Sequence, residues 1–509
     1  MLEAHLAAIG RANAPVNAFV TLAPESARAA AQAVDRAVAA GEKLPPLAGV
    51  PVGIKDVTPT AGIRTTWGSE LYAEHVPDED GETVASLKRA GCVVVGKTNT
   101  PEFAAGANTV NRVFGATRNP WDLRLSASGS TGGGAAALAA ALVPLAEGSD
   151  FGGSLRTPAS FCGVVGLRTT TGLVARYPMN MPWHDQNVAG PMARDAEDCA
   201  LMLDGMTGFS LKHPASVPPP WASACDIVAR AENLRGMRLA YVADLGGTGI
   251  DSEVARICRD AARALERDGA AVEEIAADFS DGVQPFITLR GESMVGNHLE
   301  RLDRLERLNP NLAGNIRLGL DVKILDIARA ERKRTEVFHR WRALFERYDL
   351  VLTPCSPVPP FPVDQNYPTE IAGKRAGQLH CLDRADLPGL ARHLPAASAP
   401  AGLTASRLPV GLQIVGPRFA EPRILTCAKF VERVSPLRLG AARGVKGYPE
   451  TFCVAGSSRA AGKRARKTLP FPGVLSIVSA ASWRARACLT MASPRPVPPD
   501  SRERPWSTR

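Results

Sequence analysis

Residues 128–140 read SGSTGGGAAALAA, a run of small side chains that limits what the surrounding chain can form. Ser128, Ser130 and Thr131 stand among four glycines, and an apolar stretch follows as far as Leu145. Because alanine is commonly found inside proteins, we expect the run from Ala135 to Leu145 to be a helix in the core of a large domain. The glycine loop before it either binds a phosphate or positions a reactive serine.

Strand-like and helix-like segments alternate along the first 434 residues. Residues 24–40 are predicted as a helix, because proline stands at its start and Gly41 follows its end. Residues 48–56 are predicted as a strand that ends near Lys55. The alternation continues with helix 82–91, strand 92–98, strand 238–244, helix 251–268, and strands 271–275, 348–354 and 410–416. This order predicts an α/β fold in one domain, residues 1–434, with a large mixed β-sheet core covered by helices on both faces.

The charge of the chain is unevenly distributed. Of its 60 basic and 51 acidic residues, 14 basic and 3 acidic ones follow residue 434, so residues 435–509 carry a net charge of +11 and residues 1–434 one of −2. The tail holds one short basic cluster, AGKRARKT, in sequence rich in proline, serine, arginine and alanine. We therefore predict a disordered or non-native extension at 435–509 rather than an arm that binds nucleic acid.

Other features of the composition exclude several classes of protein. No apolar segment predicts a membrane span, and the first residues lack the basic and apolar regions of a signal peptide. Ten cysteines are scattered without CxxC pairs or metal-ligand spacing. They indicate free thiols in a reducing cytoplasm, with Cys162 and Cys355 expected as buried small side chains. We expect no metal, no cofactor, no membrane and no nucleic-acid partner.

The glycine loop does not match the common phosphate-binding patterns. A Walker A loop requires a lysine after its last glycine, whereas Gly134 leads into alanines. The GxGxxG fingerprint of dinucleotide-binding folds does not fit glycines at positions 129, 132, 133 and 134. The phosphate-binding interpretation is therefore weak.

A serine hydrolase of the GxSxG type is also disfavoured. Ser154, in FGGSLRT, has Arg156 where the second glycine should stand, and none of the eight histidines lies near either glycine loop in the sequence. A buried, neutral lysine can activate a serine instead, and Lys55 ends the apolar run AGVPVGI. Lowering the pKa of a lysine from ~10.4 to about 7 requires on the order of 4–5 kcal/mol, which burial can supply. The alternative is a structural ion pair between Lys55 and Asp56.

Three segments, LAGVPVGIKD, SGSTGGGAAALAA and EGSDFGGSLRTPASFCGVVGLR, closely resemble the amidase signature family. The resemblance continues through GIRTTWGS, GKTNTPEFA, GATRNPWD, GPMARDAEDCALML, DLVLTPCSP and LPVGLQIVGPRFAEPRIL, which lie between residues 62 and 425. Ordered motifs over such a length are far more specific than one short pattern. The resemblance implies the amidase signature fold and hydrolysis of an amide.

The resemblance also implies a catalytic Ser–cis-Ser–Lys triad. By position, Lys55 matches the family's lysine, Ser130 the serine that follows a cis peptide bond, and Ser154 the nucleophile. Thr131 stands where a second serine is usual. In this mechanism neutral Lys55 takes a proton through the Ser130 hydroxyl while Ser154 attacks the amide carbonyl.

The residues before the nucleophile are expected to support the reaction. Backbone N–H groups of Phe151, Gly152 and Gly153, with that of Ser154, are expected to form the oxyanion hole. Asp150 and Arg156 are expected either to orient this loop or to form an ordinary structural ion pair.

Three positions depart from the residues usual in the family. Ala127 and Ser128 replace proline and glycine of the common loop PGGSSGGS, and Arg168 replaces a lysine. Ser128 adds a side chain beside the expected cis bond between Gly129 and Ser130. We expect Arg168 to be tolerated.

The leading functional prediction is a stand-alone amidase that hydrolyses a linear carboxamide to a carboxylate and ammonia or an amine, through an acyl-enzyme on Ser154. One alternative is the A-type component of a glutamyl-tRNA amidotransferase, a glutaminase with a partner, although NTPEF (99–103) resembles general amidases better. Another is a catalytically impaired relic with an aberrant C-terminus. A homodimer is compatible with the resemblance. Aromatic candidates for an acyl pocket, or for the core, are Trp67, Phe286, Trp341 and Tyr348.

Overall fold

A computed structural model describes residues 1–184, 186–247, 249–375 and 394–437. Most of the strands in these ranges join one sheet of eleven strands. The strands are β1 (Phe19–Leu22), β2 (Pro51–Lys55), β3 (Val93–Thr98), β4 (Val110–Asn111), β5 (Gly115–Ala116), β6 (Arg118–Asn119), β7 (Asp122–Ser126), β8 (Leu145–Asp150), β9 (Val165–Arg168), β10 (Val188–Ala193), β11 (Arg238–Tyr241), β12 (Ala271–Glu274), β13 (Leu350–Pro354), β14 (Glu370–Ile371), β15 (Lys374–Arg375), β16 (Ala396–Leu403) and β17 (Pro409–Val415).

Helices separate many of these strands along the chain. The α-helices are α1 (Leu2–Val16), α2 (Pro24–Ala39), α3 (Glu82–Arg89), α4 (Gly132–Ala139), α5 (Arg156–Cys162), α6 (Ala196–Met206), α7 (Ala224–Arg230), α8 (Ser252–Ala264), α9 (Val283–Asn297), α10 (Pro310–Leu320), α11 (Ile324–Arg347) and α12 (Glu421–Val434). No helix within the described ranges is both long and apolar enough to cross a bilayer.

The large sheet contains both parallel and antiparallel strands. Its strands follow the order β1, β3, β2, β8, β10, β9, β16, β17, β13, β11, β12. β2 lies parallel to β3 and β8, and β11 lies parallel to β12 and β13. The remaining neighbours are antiparallel. The predicted α/β fold with a mixed sheet is therefore confirmed.

Strand β3 illustrates how helices cover both faces of the sheet. Its sequence is VVVGKT, and all of its residues are buried. Val93 and Val95 belong to a hydrophobic cluster with α1, α4 and α5, whereas Val94 belongs to another with α3, α6, α8 and α12. Since side chains alternate across a strand, these two clusters lie on opposite faces of the sheet.

The predicted helix over Ala135–Leu145 is partly wrong. Helix α4 instead covers Gly132–Ala139, and Leu145 is the first residue of β8. Ala141 has a φ of 53°, in the left-handed region, and Pro144 follows it, so the helix ends and the chain enters the next strand. The structure confirms the other predicted elements to within a few residues, namely those at 24–40, 48–56, 82–91, 92–98, 238–244, 251–268, 271–275, 348–354 and 410–416.

Helix α4 packs very closely against the chain that follows β3. All of its residues are buried, as expected for a core helix. A Cβ on Gly133 would lie 2.3 Å from the backbone nitrogen of Asn99, so only glycine fits in this first turn. The glycines therefore let the helix start, and the hydroxyl residues before it, sit directly against the sheet.

The described C-terminal region contributes to the core. Most of α12 is buried, and the description ends shortly after it, at Leu437. The predicted extension at 435–509 lies outside the described residues from position 438 onward. Cys162 and Cys355 are buried free thiols, as predicted.

Candidate active site

Three chain segments meet at the carboxyl ends of two neighbouring parallel strands. β2 ends at Lys55, and β8 ends beside it at Asp150. The turn after β8 carries Ser154, and the loop before α4 carries Ser130. The parallel register places the end of each strand at the same edge of the sheet, where these polar side chains collect.

Lys55 is fully buried and surrounded by hydroxyl groups. Its Nζ lies 2.7 Å from Ser130 Oγ, 2.9 Å from Thr131 Oγ1 and 3.1 Å from Ser149 Oγ. Burial lowers the pKa of Lys55 from 10.5 to about 7, against the attraction of two buried carboxylates. The alternative ion pair is not formed, because Asp56 accepts hydrogen bonds from Thr66 instead. Near neutral pH a substantial fraction of this lysine is a neutral amine that can accept a proton.

The loop before α4 has the backbone form that the resemblance implies. The peptide bond between Gly129 and Ser130 is cis. Ser128 is buried, its N–H donates to Ser126 Oγ at 2.8 Å, and its hydroxyl donates to the Ala107 carbonyl at 3.3 Å. The side chain at 128 is thus accommodated by hydrogen bonds.

Ser154 lines the same cleft as Ser130. The Thr131 N–H donates to the Ser154 carbonyl at 3.1 Å, so the two glycine loops are bonded to each other. Within the described residues the Ser154 hydroxyl has no hydrogen-bond partner, and the expected contact with the Ser130 hydroxyl is not made. The structure therefore brings Lys55 and Ser130 together and leaves the Ser154 hydroxyl without a bond.

Asp150 is the buried carboxylate that orders the turn after β8. Arg156 Nε lies 3.0 Å from its Oδ2 and Arg156 Nη2 lies 2.9 Å from its Oδ1, while Arg168 Nη1 lies 3.2 Å from Oδ1. The same carboxylate accepts the N–H groups of Gly153 and Leu155. Burial opposes ionisation of Asp150, but the two guanidinium groups hold its pKa well below the usual range. Asp150 and Arg156 thus form an ion pair that also fixes the turn, and Arg168 joins it.

The turn leaves a particular set of backbone donors available. Phe151, Gly152 and Ser154 line the cleft, and within the described residues their N–H groups have no acceptor. Gly153 differs from the prediction, because its N–H is donated to Asp150 Oδ1 at 3.0 Å. The candidate oxyanion donors are therefore Phe151, Gly152 and Ser154, without Gly153.

Sequence reasoning missed a second layer of buried charge next to Lys55. Glu147 accepts the Lys55 N–H at 3.1 Å and the Thr58 hydroxyl at 3.0 Å, and burial raises the pKa of this carboxyl. Lys97 donates to Thr60 Oγ1 at 2.9 Å and to the Thr58 carbonyl, and burial lowers its pKa to about 8. Glu147 follows Leu145 and Ala146 in β8, and Lys97 follows three valines and a glycine in β3, so each is a charged residue directly after small or apolar ones in a buried strand. That signal could have identified them, because charged side chains are rarely buried without partners.

An open cleft of about 640 Å³ leads to Ser130 and Ser154. Phe103 and Met294 contribute apolar surface to it, and Arg290 contributes a guanidinium group. None of the three was predicted to line the site, because no quoted motif surrounds Arg290 and Met294, and the NTPEF motif that contains Phe103 does not show where its side chain lies.

The four aromatic candidates for an acyl pocket do not line this cleft. Phe286, Trp341 and Tyr348 lie in one hydrophobic core cluster. Trp67 packs edge to face against Tyr72, with ring centroids 5.1 Å apart. The alternative prediction, that these aromatic side chains belong to the hydrophobic core, is therefore confirmed for Phe286, Trp341 and Tyr348.

The comparison with protein families agrees with the motifs and with the fold. A sequence model of the Amidase family matches residues 1–425. The chain belongs to the amidase signature family. This amidase signature enzyme is 35% identical, over 458 residues, to the A-type component of the glutamyl-tRNA(Gln) amidotransferase of Geobacter sp. (strain M21). The alignment covers 85% of this chain and 92% of the relative.

Solved structures of related proteins superpose well on this amidase signature chain. A bacterial aryl acylamidase of the same family is 26% identical with a TM-score of 0.80, and the match covers 86% of this chain and 92% of that one. The A-type component of glutamyl-tRNA(Gln) amidotransferase from Thermotoga maritima is 30% identical with a TM-score of 0.67, covering 86% and 91%. The predicted amidase signature fold is confirmed. The chain is an enzyme that hydrolyses amide C–N bonds.

Proposed function

We propose that this enzyme hydrolyses a linear carboxamide to a carboxylate and ammonia or an amine, with Ser154 as nucleophile and Lys55 as base acting through Ser130. One observation carries the proposal. The Lys55 amine is fully buried, lies 2.7 Å from the Ser130 hydroxyl, and has a pKa lowered to about 7. An amine in this state is a competent base at neutral pH, which an ordinary surface lysine is not.

The hydrogen bonds around Lys55 favour one direction of proton transfer. Thr131 Oγ1 lies 3.3 Å from the Ser149 carbonyl, to which it can only donate, so its lone pair accepts a proton of Lys55. Ser149 Oγ accepts a second one. The neutral amine then has its lone pair left for the Ser130 hydroxyl, which donates to it.

The proposed reaction begins when Ser154 Oγ forms a bond to the amide carbon. Its proton passes to Ser130 Oγ, and the Ser130 proton passes to Lys55 Nζ. The negative charge on the carbonyl oxygen is stabilised by the N–H groups of Phe151, Gly152 and Ser154. The proton returns through Ser130 to the leaving nitrogen as the C–N bond breaks. An acyl-enzyme remains on Ser154, and water attacks it by the same route to release the carboxylate.

This scheme requires Ser130 and Ser154 to come within hydrogen-bond distance during the reaction. Catalytic hydrogen bonds are often long in unliganded enzymes and tighten when substrate binds. The unbonded Ser154 hydroxyl in the cleft is compatible with that closure.

The second candidate function is that of the A-type component of an amidotransferase, a glutaminase that works with partners. The relative from Geobacter bears that name, whereas the superposition is better on the aryl acylamidase than on the Thermotoga protein. Ammonia release from glutamine, measured with and without the other components of an amidotransferase, separates the two functions. Hydrolysis of simple amides by the chain alone favours the stand-alone amidase, whereas glutamine hydrolysis that depends on the partners favours the amidotransferase.

We also propose that residues 1–434 form the catalytic domain and that residues 435–509 take no part in the reaction. The family match ends at residue 425, and α12 ends at Val434. The seven described cysteines are free thiols, which supports a reducing cytoplasmic location.

The first experiment is active-site labelling with a fluorophosphonate, followed by peptide mapping. We expect an adduct on Ser154, no adduct in Ser154→Ala, and labelling slowed at least ~100-fold in Ser130→Ala and Lys55→Ala. Ser26→Ala, an exposed serine on α2, is the matched control and should label as the wild type does. A folded wild-type protein that forms no adduct supports the impaired relic and contradicts the proposed function.

A further inference from the structure

Arg290 lies on α9 and its side chain lines the cleft next to the proposed site. Only 7% of the residue is exposed. Its Nε donates to Asn315 Oδ1 at 3.0 Å, and its guanidinium carbon lies 5.4 Å from the centre of the Phe151 ring. These contacts hold the guanidinium plane in place. Its two terminal nitrogens have no acceptor within the described residues.

A buried guanidinium group is normally paired with a carboxylate. The two other buried arginines at this site, Arg156 and Arg168, both pair with Asp150. Arg290, in contrast, has no carboxylate oxygen within 4.0 Å in the described ranges. A positive charge with so little water around it is unfavourable by itself, so an anionic ligand in the cleft would complete its bonding.

We propose that Arg290 binds a carboxylate of the substrate, so that the enzyme selects amides that carry a second, anionic group. This inference rests on the proposed function, because Ser130 and Ser154 line the same cleft. Arginine presents two parallel N–H groups that match the two oxygens of a carboxylate. Phe103 and Met294 supply apolar surface in the cleft, so the expected substrate joins its amide and its carboxylate by an apolar spacer.

The test compares charged and neutral amides of matched shape. Succinamate, glutaramate and adipamate carry the carboxylate on the acyl side, and butanamide, pentanamide and hexanamide are their neutral partners. 4-Acetamidobenzoate and acetanilide form a pair with the carboxylate on the amine side. At pH 8 we expect kcat/KM to be at least ~10-fold higher for the anionic member of one of these sets. The set that shows the preference identifies the side on which the carboxylate lies.

Substitutions at Arg290 assign the preference to this residue. Arg290→Gln should lower kcat/KM for the anionic amides by ~10–100-fold and leave the neutral amides within about threefold. Arg290→Lys keeps the charge and should restore part of the preference. Arg317→Gln, an exposed arginine on the neighbouring helix α10, is the matched control and should change neither class.

Two results would overturn the inference. The first is that the wild-type enzyme has equal kcat/KM for anionic and neutral amides. The second is that Arg290→Gln lowers kcat/KM for both classes alike, which would mean that Arg290 only supports the Phe151 ring. Failure of the proposed function is seen separately, as absence of fluorophosphonate labelling at Ser154. In that case the affinity for glutarate, measured by calorimetric titration of the wild type and of Arg290→Gln, still tests whether Arg290 binds a carboxylate. Binding weakened at least ~10-fold in Arg290→Gln supports the anion site, and binding that is absent or equal in both proteins overturns it.

Discussion

The buried state of Lys55 predicts how the activity of the enzyme depends on pH. The pKa falls from 10.5 to about 7, a change that corresponds to roughly 5 kcal/mol of preference for the neutral amine in the folded protein. Burial is the largest cause, Glu147 and Asp150 oppose it, and the Arg176 guanidinium adds to it. The base form therefore disappears as the pH falls through 7, and kcat/KM should fall with it.

The expected profile follows from the fraction of neutral amine. With a pKa of about 7, roughly half of the enzyme holds neutral Lys55 at pH 7, about a tenth at pH 6 and about a hundredth at pH 5. We expect the second-order rate constant for fluorophosphonate labelling of Ser154 to follow these fractions between pH 5 and pH 9. Labelling is preferable to turnover here, because it reports nucleophile activation without product release.

The same shift predicts a pH-dependent stability. Between pH 7 and pH 10 the unfolded chain holds a proton on Lys55 that the folded chain has lost, so the free energy of unfolding rises with pH in this window. The slope approaches about 1.4 kcal/mol per pH unit only in the middle of this window, because Lys55 is half protonated in the folded chain at pH 7 and the unfolded chain begins to lose its proton near pH 10. The wild type should therefore gain about 3.5 kcal/mol relative to Lys55→Met from pH 7 to pH 10. Denaturant unfolding of both proteins at pH 7 and pH 10 measures the difference.

Two outcomes would refute this reasoning. Labelling that is independent of pH down to 5, or that first rises near pH 10, means that Lys55 is not the neutral base. A stability difference between the wild type and Lys55→Met that does not change with pH means that the lysine titrates alike in the folded and unfolded chains. Lys55→Arg is a matched control, because its guanidinium stays charged and should leave labelling slow at every pH.

Three further predictions concern the residues around the site and the C-terminal tail. Asp150→Asn removes a buried carboxylate that Arg156 and Arg168 both contact and should lower the free energy of unfolding by about 3–5 kcal/mol, whereas loss of the exposed ion pair in Asp122→Asn should cost at most about 1 kcal/mol. Equal losses in denaturant unfolding would contradict the assignment. Thr131→Val removes one hydroxyl partner of Lys55 and should slow labelling by about tenfold, while Thr131→Ser should label like the wild type; a valine variant of full reactivity would exclude Thr131 from the site. A chain ended after Leu437 should label at the wild-type rate within about twofold in the same assay, and loss of labelling in a folded product would show that the tail is needed.

Local sequence patterns were sufficient to predict much of the fold. The strand ending at Lys55 was predictable, because an apolar run stopped at a charged residue. The α4 boundary was predicted wrongly although Pro144 stands inside the predicted helix, and the exact end of the helix is set by the left-handed backbone at Ala141, which no residue type there indicates. The β9 strand is only four residues long and β16 consists largely of small residues, and the two strands pair with each other across more than two hundred residues of sequence, so no local pattern reveals them.

The sequence likewise predicted some residues of the candidate site and missed others. Ordered motifs allowed Lys55 and Ser130 to be predicted as neighbours, and the structure places them in contact. The occupied N–H of Gly153 was not predictable, because it depends on which way the Asp150 carboxylate turns. Arg290 was not predictable either, since it reaches the cleft from a helix more than a hundred residues later in the chain.

The order of strands in the large sheet has a consequence for the protein as it is synthesised. Strands from residues 19–193 form one half of the sheet, strands from residues 238–415 form the other, and β9 and β16 join them, with Arg168 opposite Ala396. A nascent chain therefore has Lys55, Ser130 and Ser154 long before it has the strand that covers the open edge of β9. Such an edge can pair with other chains, so the half-made enzyme is the stage most in need of a chaperone.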